Sequence, residues 1–300
     1  MDSAERSAVW LAGTVAATLI YSARQRLAKH WYPLPHFEEK AKSFVGTATA
    51  DNLLVITDFD ATLTAGDSIQ CHDLLPCTDL LTPEFRRDFM PLTNWTHDNS
   101  INVTSWWDTA HGMMLRHGQP PKYLLPRLVA ESGMYLRPGA LELLSHLAEN
   151  RIPLLIVSAG LSDIIEEFLR QQGLLTENVT VCSNRLNYGA DSAPKSVEPS
   201  PPITSFTKHT AYSASSSFFK THEQRTSILI MGDNATDVQP AVNVPNADIL
   251  SVGFLNVNST SSSAAAAHVA SFDALILGSE GSFDPVLRLV KRCMTFESFF

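Results

Sequence analysis

The sequence predicts an α/β protein: a doubly wound, Rossmann-like parallel sheet core with a helical cap inserted after the first strand. Three observations carry this. Leu53-Leu54-Val55-Ile56-Thr57 is an apolar run too short for a helix, as expected of a buried parallel strand. It ends directly in Asp58-Phe59-Asp60. A second apolar run, Ser227 to Met231, ends the same way, in Gly232-Asp233-Asn234-Ala235-Thr236-Asp237. Open α/β sheets bind their ligands at the carboxyl ends of such strands.

The chain has 300 residues, 44% of them hydrophobic, enough for one large domain or a core with a cap. Its formal net charge is -9, and no basic run could track a phosphate backbone, which argues against polymeric nucleic acid as a partner. Four cysteines, Cys71, Cys77, Cys182 and Cys293, include no CxxC pair. Cys71-His72 with Cys77 fits no common zinc spacing, so buried or half-buried thiols in a reducing compartment are expected. A monomer is expected, and a sequence without coiled-coil heptads offers no argument for a particular partner.

Taken in order, residues 1–49 are expected to form an N-terminal helical segment. Ala8 to Tyr21 is apolar, but at about 14 residues it falls short of the ~20 that span a bilayer. Asp2 and Glu5 beside Arg6 depart from a secretory signal, leaving a docked helix, a weak membrane anchor or a targeting segment. Residues 50–64 and 138–300 are assigned to the core and 65–137 to the cap. In the cap, Trp106, Trp107, Ala110, Met113, Met114 and Leu115 mark one amphipathic helix, and Tyr123 to Val129 another. At least one of the two tryptophans, and His111, are expected to serve packing.

Beyond the cap, Leu141 to Ala148 reads as a helix and Pro153 to Val157 as a strand. The strand ends in Ser158-Ala159-Gly160, before a helix from about Leu161 to Gln171. A hydroxyl and free N–H groups there suit a phosphate; an ordinary Ser N-cap is the plainer alternative, and both hold at once where Ser158 binds phosphate while Ser162 or Asp163 caps the helix. Val179 to Cys182 reads as a short strand, and Ala190 to Pro202 as an exposed loop. Ile249 to Gly253 and Ala274 to Leu277 read as strands, with Ser259 to Ala267 a flexible link.

Aspartates after strands can be simple turn formers. Repeated strand-end placement suggests instead that Asp58, Asp60, Asp233 and Asp237 converge, and such a set needs a hard cation such as Mg²⁺. Lys208, on its own, reads as solvated surface.

Asp58-Phe59-Asp60-Ala61-Thr62-Leu63-Thr64 resembles the first motif of the haloacid dehalogenase superfamily of phosphatases. Ser158-Ala159-Gly160, Lys208 and Gly232 to Asp237 resemble the second, third and fourth motifs, in that order. Trp106-Trp107, His111-Gly112, Val129-Ala130-Glu131-Ser132 and Phe206-Thr207-Lys208-His209 extend the likeness to the cytosolic type III pyrimidine 5′-nucleotidases. The resemblance implies a Mg²⁺-dependent, cytoplasmic phosphoric monoester hydrolase acting on a small molecule, with membrane association not expected. It implies Asp58 as nucleophile, Asp60 as acid and base, and Mg²⁺ on Asp58, Asp233 and the Asp60 main-chain carbonyl. Ser158, Ala159 and Lys208 would hold phosphate, with Asp237 supporting.

A pyrimidine nucleoside 5′-monophosphate is the first expected substrate, contacted by Ser105, Trp106 and Ser132. Another small phosphomonoester, or a phospho-ligand bound without turnover, are the alternatives. Two positions depart from the family: Ser105 replaces a base-reading Glu, and Thr210-Ala211 follow Lys208-His209 in place of Asp-Gly.

Overall fold

The computed structural model describes residues 30–93, 103–210, 213, 215–242, 244–257 and 263–294. One sheet holds β1 (Trp31–Pro33), β2 (Leu53–Thr57), β3 (Leu154–Leu161), β4 (Val179–Tyr188), β5 (Pro194–Glu198), β6 (Ser227–Gly232), β7 (Asp248–Leu255) and β8 (Ala274–Leu277). Its strand order is β1-β8-β7-β6-β2-β3-β4-β5. The six inner strands run parallel, and β1 and β5 pair antiparallel at the two edges. This is the expected doubly wound core.

β2 is central because its side chains alternate between two apolar layers. Leu53 and Val55 join one buried cluster, and Leu54 and Ile56 the other. From β2 the chain goes on to form β3 on one side and later β6 on the other. The carboxyl end of β2 is therefore a topological switch point, where a crevice opens.

The helices are α1 (Phe37–Thr47), α2 (Pro83–Thr93), α3 (Val103–His117), α4 (Leu125–Ala130), α5 (Ala140–Glu149), α6 (Ser162–Gln171), α7 (Ser216–Thr221), α8 (Gln239–Val242), α9 (Ser263–Ser271) and α10 (Asp284–Met294). Helices α2 to α4 lie in the insert between β2 and β3. Trp106, Trp107, Ala110 and Met114 recur at helical spacing on α3 and are all buried in the larger core cluster. The two ends of the insert run side by side: Thr64 bridges Leu136, and the Ala65 N–H donates to the Tyr135 carbonyl at 3.2 Å.

Several expectations are corrected. Of the N-terminal helical segment, residues 1–29, with the apolar run, lie outside the described residues; the rest supplies edge strand β1 as well as α1. β4 continues to Tyr188, its polar Asn184, Arg185 and Asn187 having masked the strand. The supposed loop 190–202 contains β5, an edge strand entered through Pro194, a position where the missing N–H costs nothing. The supposed link carries α9, built on consecutive alanines, the strongest helix formers; residues 258–262 lie outside the described ones.

Neither Ser162 nor Asp163 caps α6, since Leu161 holds that position and the Asp163 carboxylate accepts from the Leu186 N–H at 2.8 Å. The helix expected over Tyr123–Val129 is a 3₁₀ turn, Lys122–Leu124, leading into α4. All four cysteines are free, and Cys77 alone is exposed. Among the described residues no helix is long and apolar enough to cross a membrane.

Candidate active site

At the end of β2 the Asp58 N–H still donates to Met231 of β6 at 3.0 Å. The chain then turns sharply, with Ala61 at φ +57°, a left-handed conformation costing an L-residue about 1–2 kcal/mol. Thr64 holds the turn: its hydroxyl accepts from the Ala61 N–H at 2.8 Å and its N–H donates to the Phe59 carbonyl at 3.0 Å. The turn separates Asp58 from Asp60 yet leaves both in one cleft of about 460 Å³.

β6 delivers the second pair of acids. Asn234 and Asp237 cap the short 3₁₀ helix reciprocally: the Asn234 side chain accepts from the Thr236 N–H at 3.1 Å, and Asp237 Oδ2 accepts from the Asn234 N–H at 2.8 Å. Gly232 is required here, because a Cβ would stand 2.1 Å from the Asp237 carboxylate.

Lys208, on a 3₁₀ turn after β5, is 3% exposed. Its ammonium lies 2.6 Å from Asp237 Oδ1 and 2.9 Å from Asp58 Oδ1. Burial works against that charge, but Asp237 and Asp58 together outweigh it and raise the lysine above its ordinary range.

The carboxylates show the opposite stress. Burial, then the charge of Asp58, pushes Asp60 up to about 7. Burial raises Asp237 to about 6 against the pull of Lys208. Burial and Asp58 hold Asp233 well above the usual carboxylate range. Among the described residues Asp58, Asp233 and Asp237 each offer one carboxylate oxygen within 4.8 Å of the others. Four acids against one lysine leave a buried negative excess, the charge pattern that a divalent cation satisfies.

The opposite wall comes from β3. The strand passes through Ser158-Ala159-Gly160 with a break in register between Val157 and Leu161. The Gly160 N–H donates to Ser158 Oγ at 3.0 Å. Gly160 admits no side chain, since a Cβ would stand 2.9 Å from Cys71 Sγ and 3.1 Å from Asp60 Oδ2. Asn184 of β4 supports the segment from behind, donating to the carbonyl of Ala159 at 2.9 Å.

The insert lines the cleft with Trp106 and Trp107. The Trp107 indole donates to the Ala159 carbonyl at 3.0 Å, tying α3 to the β3 loop, and Trp106 donates to the Leu92 carbonyl at 3.0 Å. Cys71 and His72 also reach the site, the Cys71 N–H donating to Asp60 Oδ1 at 3.1 Å. His72 packs edge-on against Trp106 and puts its Nε2 3.4 Å from Nε2 of His111. For Cys71 and His72 the sequence offers a metal cluster of unsuitable spacing and, for the cysteine, a buried thiol; their position just after the Asp58–Thr64 turn is the signal that they reach the site.

Asp58, Asp60, Ser158, Ala159, Lys208, Asp233 and Trp106 thus line one cleft, and Asp237 anchors Lys208 beneath it. Ser105 and Ser132 are not among its lining residues. Ser105 is exposed on α3. The Ser132 hydroxyl is spent on a turn, donating to Val129 and accepting from the Met134 N–H.

The sequence model of the pyrimidine 5′-nucleotidase family (UMPH-1) matches residues 79–294. The chain belongs to the pyrimidine 5′-nucleotidase family. The matched span contains Ser158, Lys208, Asp233 and Asp237, and begins downstream of Asp58 and Asp60.

Relatives of this nucleotidase include the 7-methylguanosine phosphate-specific 5′-nucleotidase of Mus musculus, 30% identical over 69% of this chain and 74% of that protein. The enzyme of that name from Gallus gallus is 29% identical over 68% and 76%. The crystal structure of cytosolic 5′-nucleotidase IIIB bound to cytidine has the same fold, with a TM-score of 0.73 at 20% identity, over 88% of this chain and 93% of that one. A phosphoserine phosphatase solved as a phospho-aspartyl intermediate analogue aligns with a TM-score of 0.50 at 15% identity, over 80% and 99%. The nucleotidase is accordingly a phosphoric monoester hydrolase with a haloacid dehalogenase-like fold.

Proposed function

We propose that this nucleotidase is a Mg²⁺-dependent enzyme that converts nucleoside 5′-monophosphates to nucleoside and phosphate through an aspartyl-phosphate on Asp58. The observation that carries the reading is the Lys208 ammonium bonded to both Asp58 and Asp237 on the floor of the cleft. It holds Asp58 in one rotamer and offers positive charge where phosphoryl oxygens must sit.

Asp58 attacks phosphorus in line and the bond to the 5′ oxygen breaks. Asp60, raised to about 7, keeps a proton near neutrality and gives it to the departing oxygen. It then takes a proton from the water that hydrolyses the aspartyl-phosphate, regenerating the starting state. The Ser158 hydroxyl, the Ala159 N–H and Lys208 hold the phosphoryl oxygens. Asp237 holds Lys208.

Mg²⁺ would be held by Asp58, Asp233 and the main-chain carbonyl of Asp60; when bound it draws charge from the phosphoryl oxygens. Asp237 is left out of this set because both its oxygens are engaged, by Lys208 and by the Asn234 N–H.

Residues 65–137 act as a cap that excludes water from the reacting group. Trp106 and His72 supply the surface against which the nucleobase stacks, and Ser105 takes no part. A pyrimidine base and a 7-methylguanine are the first candidates, following the name of the family and of the relatives. The cationic 7-methylguanine ring would gain further from an indole face. A cytoplasmic site of action is the reading that the name of a cytosolic structural neighbour supports.

The test is phosphate release from UMP, CMP, AMP, GMP, 7-methyl-GMP and p-nitrophenyl phosphate, with Mg²⁺, with EDTA, and with Asp58→Asn. Metal-dependent release from CMP, UMP or 7-methyl-GMP, lost in the variant, supports the reading. Release from the aryl ester alone would keep the chemistry and reject the substrate class. No release from folded protein would leave a phospho-ligand binder.

A further inference from the structure

Arg137 is the largest fully buried side chain among the described residues, and it does not line the cleft. Among the described residues no carboxylate is hydrogen-bonded to it. Its Nε donates to the Thr62 carbonyl at 2.9 Å, and its Nη2 to the Ala61 carbonyl at 2.7 Å and to Asn256 Oδ1 at 2.6 Å. Its Nη1 faces the carbonyls of Gly278, Ser279 and Gly281 at 3.1, 2.9 and 3.3 Å. Phe254 lies beneath the guanidinium, 4.7 Å from ring centre to Cζ. Asn256 completes the arrangement by donating to the Ala61 carbonyl at 3.1 Å.

Burying a cation is costly even with the charges of Asp233, Asp67 and Glu280 acting on it, and every N–H here must be matched by an acceptor. The acceptors come from distant stretches of chain: the turn just past Asp60, the end of β7, and the loop after β8. Arg137 itself stands where the insert returns to the core, its N–H donating to the Leu63 carbonyl at 2.9 Å. One planar fork therefore ties both ends of the insert to the core, directly behind the left-handed turn at Ala61. A lysine has three donors and no fork, so it cannot reproduce these bonds.

We infer that Arg137 is a positioning residue: by gripping the carbonyls of Ala61 and Thr62 it fixes the turn that aims the Asp60 carboxyl at the leaving oxygen. This rests on the reading of Asp60 as the group that protonates that oxygen. A nucleoside alkoxide needs that proton, whereas p-nitrophenolate leaves without it. Misplacing Asp60 must therefore slow the nucleotide far more than the aryl ester.

The experiment compares kcat and KM for the best nucleotide substrate and for p-nitrophenyl phosphate in wild type, Arg137→Met, Arg137→Lys, Asn256→Ala and Asp60→Asn, each checked for a native circular dichroism spectrum. Arg137→Met and Arg137→Lys are expected to lose roughly 10- to 100-fold in kcat on the nucleotide but less than about 3-fold on the aryl ester, with KM little changed. Asn256→Ala keeps the arginine and removes one anchor, so it gives a smaller split of the same sign even where the arginine variants fail to fold. Equal losses on both esters in the folded variants, or no loss on the nucleotide, would overturn the inference. Should Asp60→Asn itself show no split, the acid role falls and the inference with it. A split in Asp60→Asn with none in Asn256→Ala or the folded arginine variants would overturn the positioning role alone.

Discussion

Lys208 Nζ stands 2.9 Å from Asp58 Oδ1, the sole cation bonded to that carboxylate among the described residues. The pair joins the end of β2 to the 3₁₀ turn after β5, 150 positions apart in sequence, and it sets the first prediction. Lys208→Met removes the charge that holds Asp58 and faces the phosphoryl oxygens. Turnover of the nucleotide should fall at least about 100-fold, as when one donor to a developing oxyanion is removed. Steady-state phosphate release measures it.

Metal and pH should act together on stability. Asp60, Asp233 and Asp237 all have folded-state values raised above the ordinary 3.8. Without metal the folded chain binds more protons than the unfolded one. The stability from Asp60 and Asp237 is present below about 4 and is lost as pH rises through about 6 to 7. Thermal melts in EDTA should therefore show this loss between pH 5 and 7.5, and Mg²⁺ should raise Tm more at pH 7.5 than at pH 5.

The histidine pair works in the other direction. Burial lowers His111 to about 4 and, with His111 beside it, lowers His72 well below 6.5. Both are neutral when folded and take up protons when unfolded, so acidification from about 6.5 toward 4 destabilises the protein. His111→Gln should remove about 2 kcal/mol of that acid sensitivity between pH 7 and pH 5. Urea titrations of both proteins at pH 7 and pH 5 would show it.

Base recognition should follow the cleft and not the family's acidic position. Trp106→Ala is expected to cut kcat/KM for the nucleotide at least about 10-fold, on the scale of one lost base stack. Ser105→Ala should leave it within about 2-fold. Parallel kinetics on CMP and 7-methyl-GMP decide between them.

The sheet and the acidic centre were legible because their signals are local. Leu53 to Thr57 and Ser227 to Met231 are continuous apolar runs, and each terminates in the acids it presents. Lys208 was legible only by resemblance: nothing in a lone lysine states that it will be buried against two aspartates that follow β2 and β6. β5 and the second half of β4 were missed because their polar residues pair with each other across an edge, where no apolar pattern is needed. Arg137 was missed for a similar reason. Its partners are backbone carbonyls, which leave no trace in the identity of the residues that carry them.

The central claim is that Asp58 carries the phosphoryl group. The most direct measurement is rapid acid quench during turnover of a nucleotide labelled in its phosphate, followed by peptide mapping. The account predicts a transient, hydroxylamine-labile label on the peptide containing Asp58, absent in Asp58→Asn. Continued phosphate release with no label on that peptide at any time, or with the label on another residue, would contradict it.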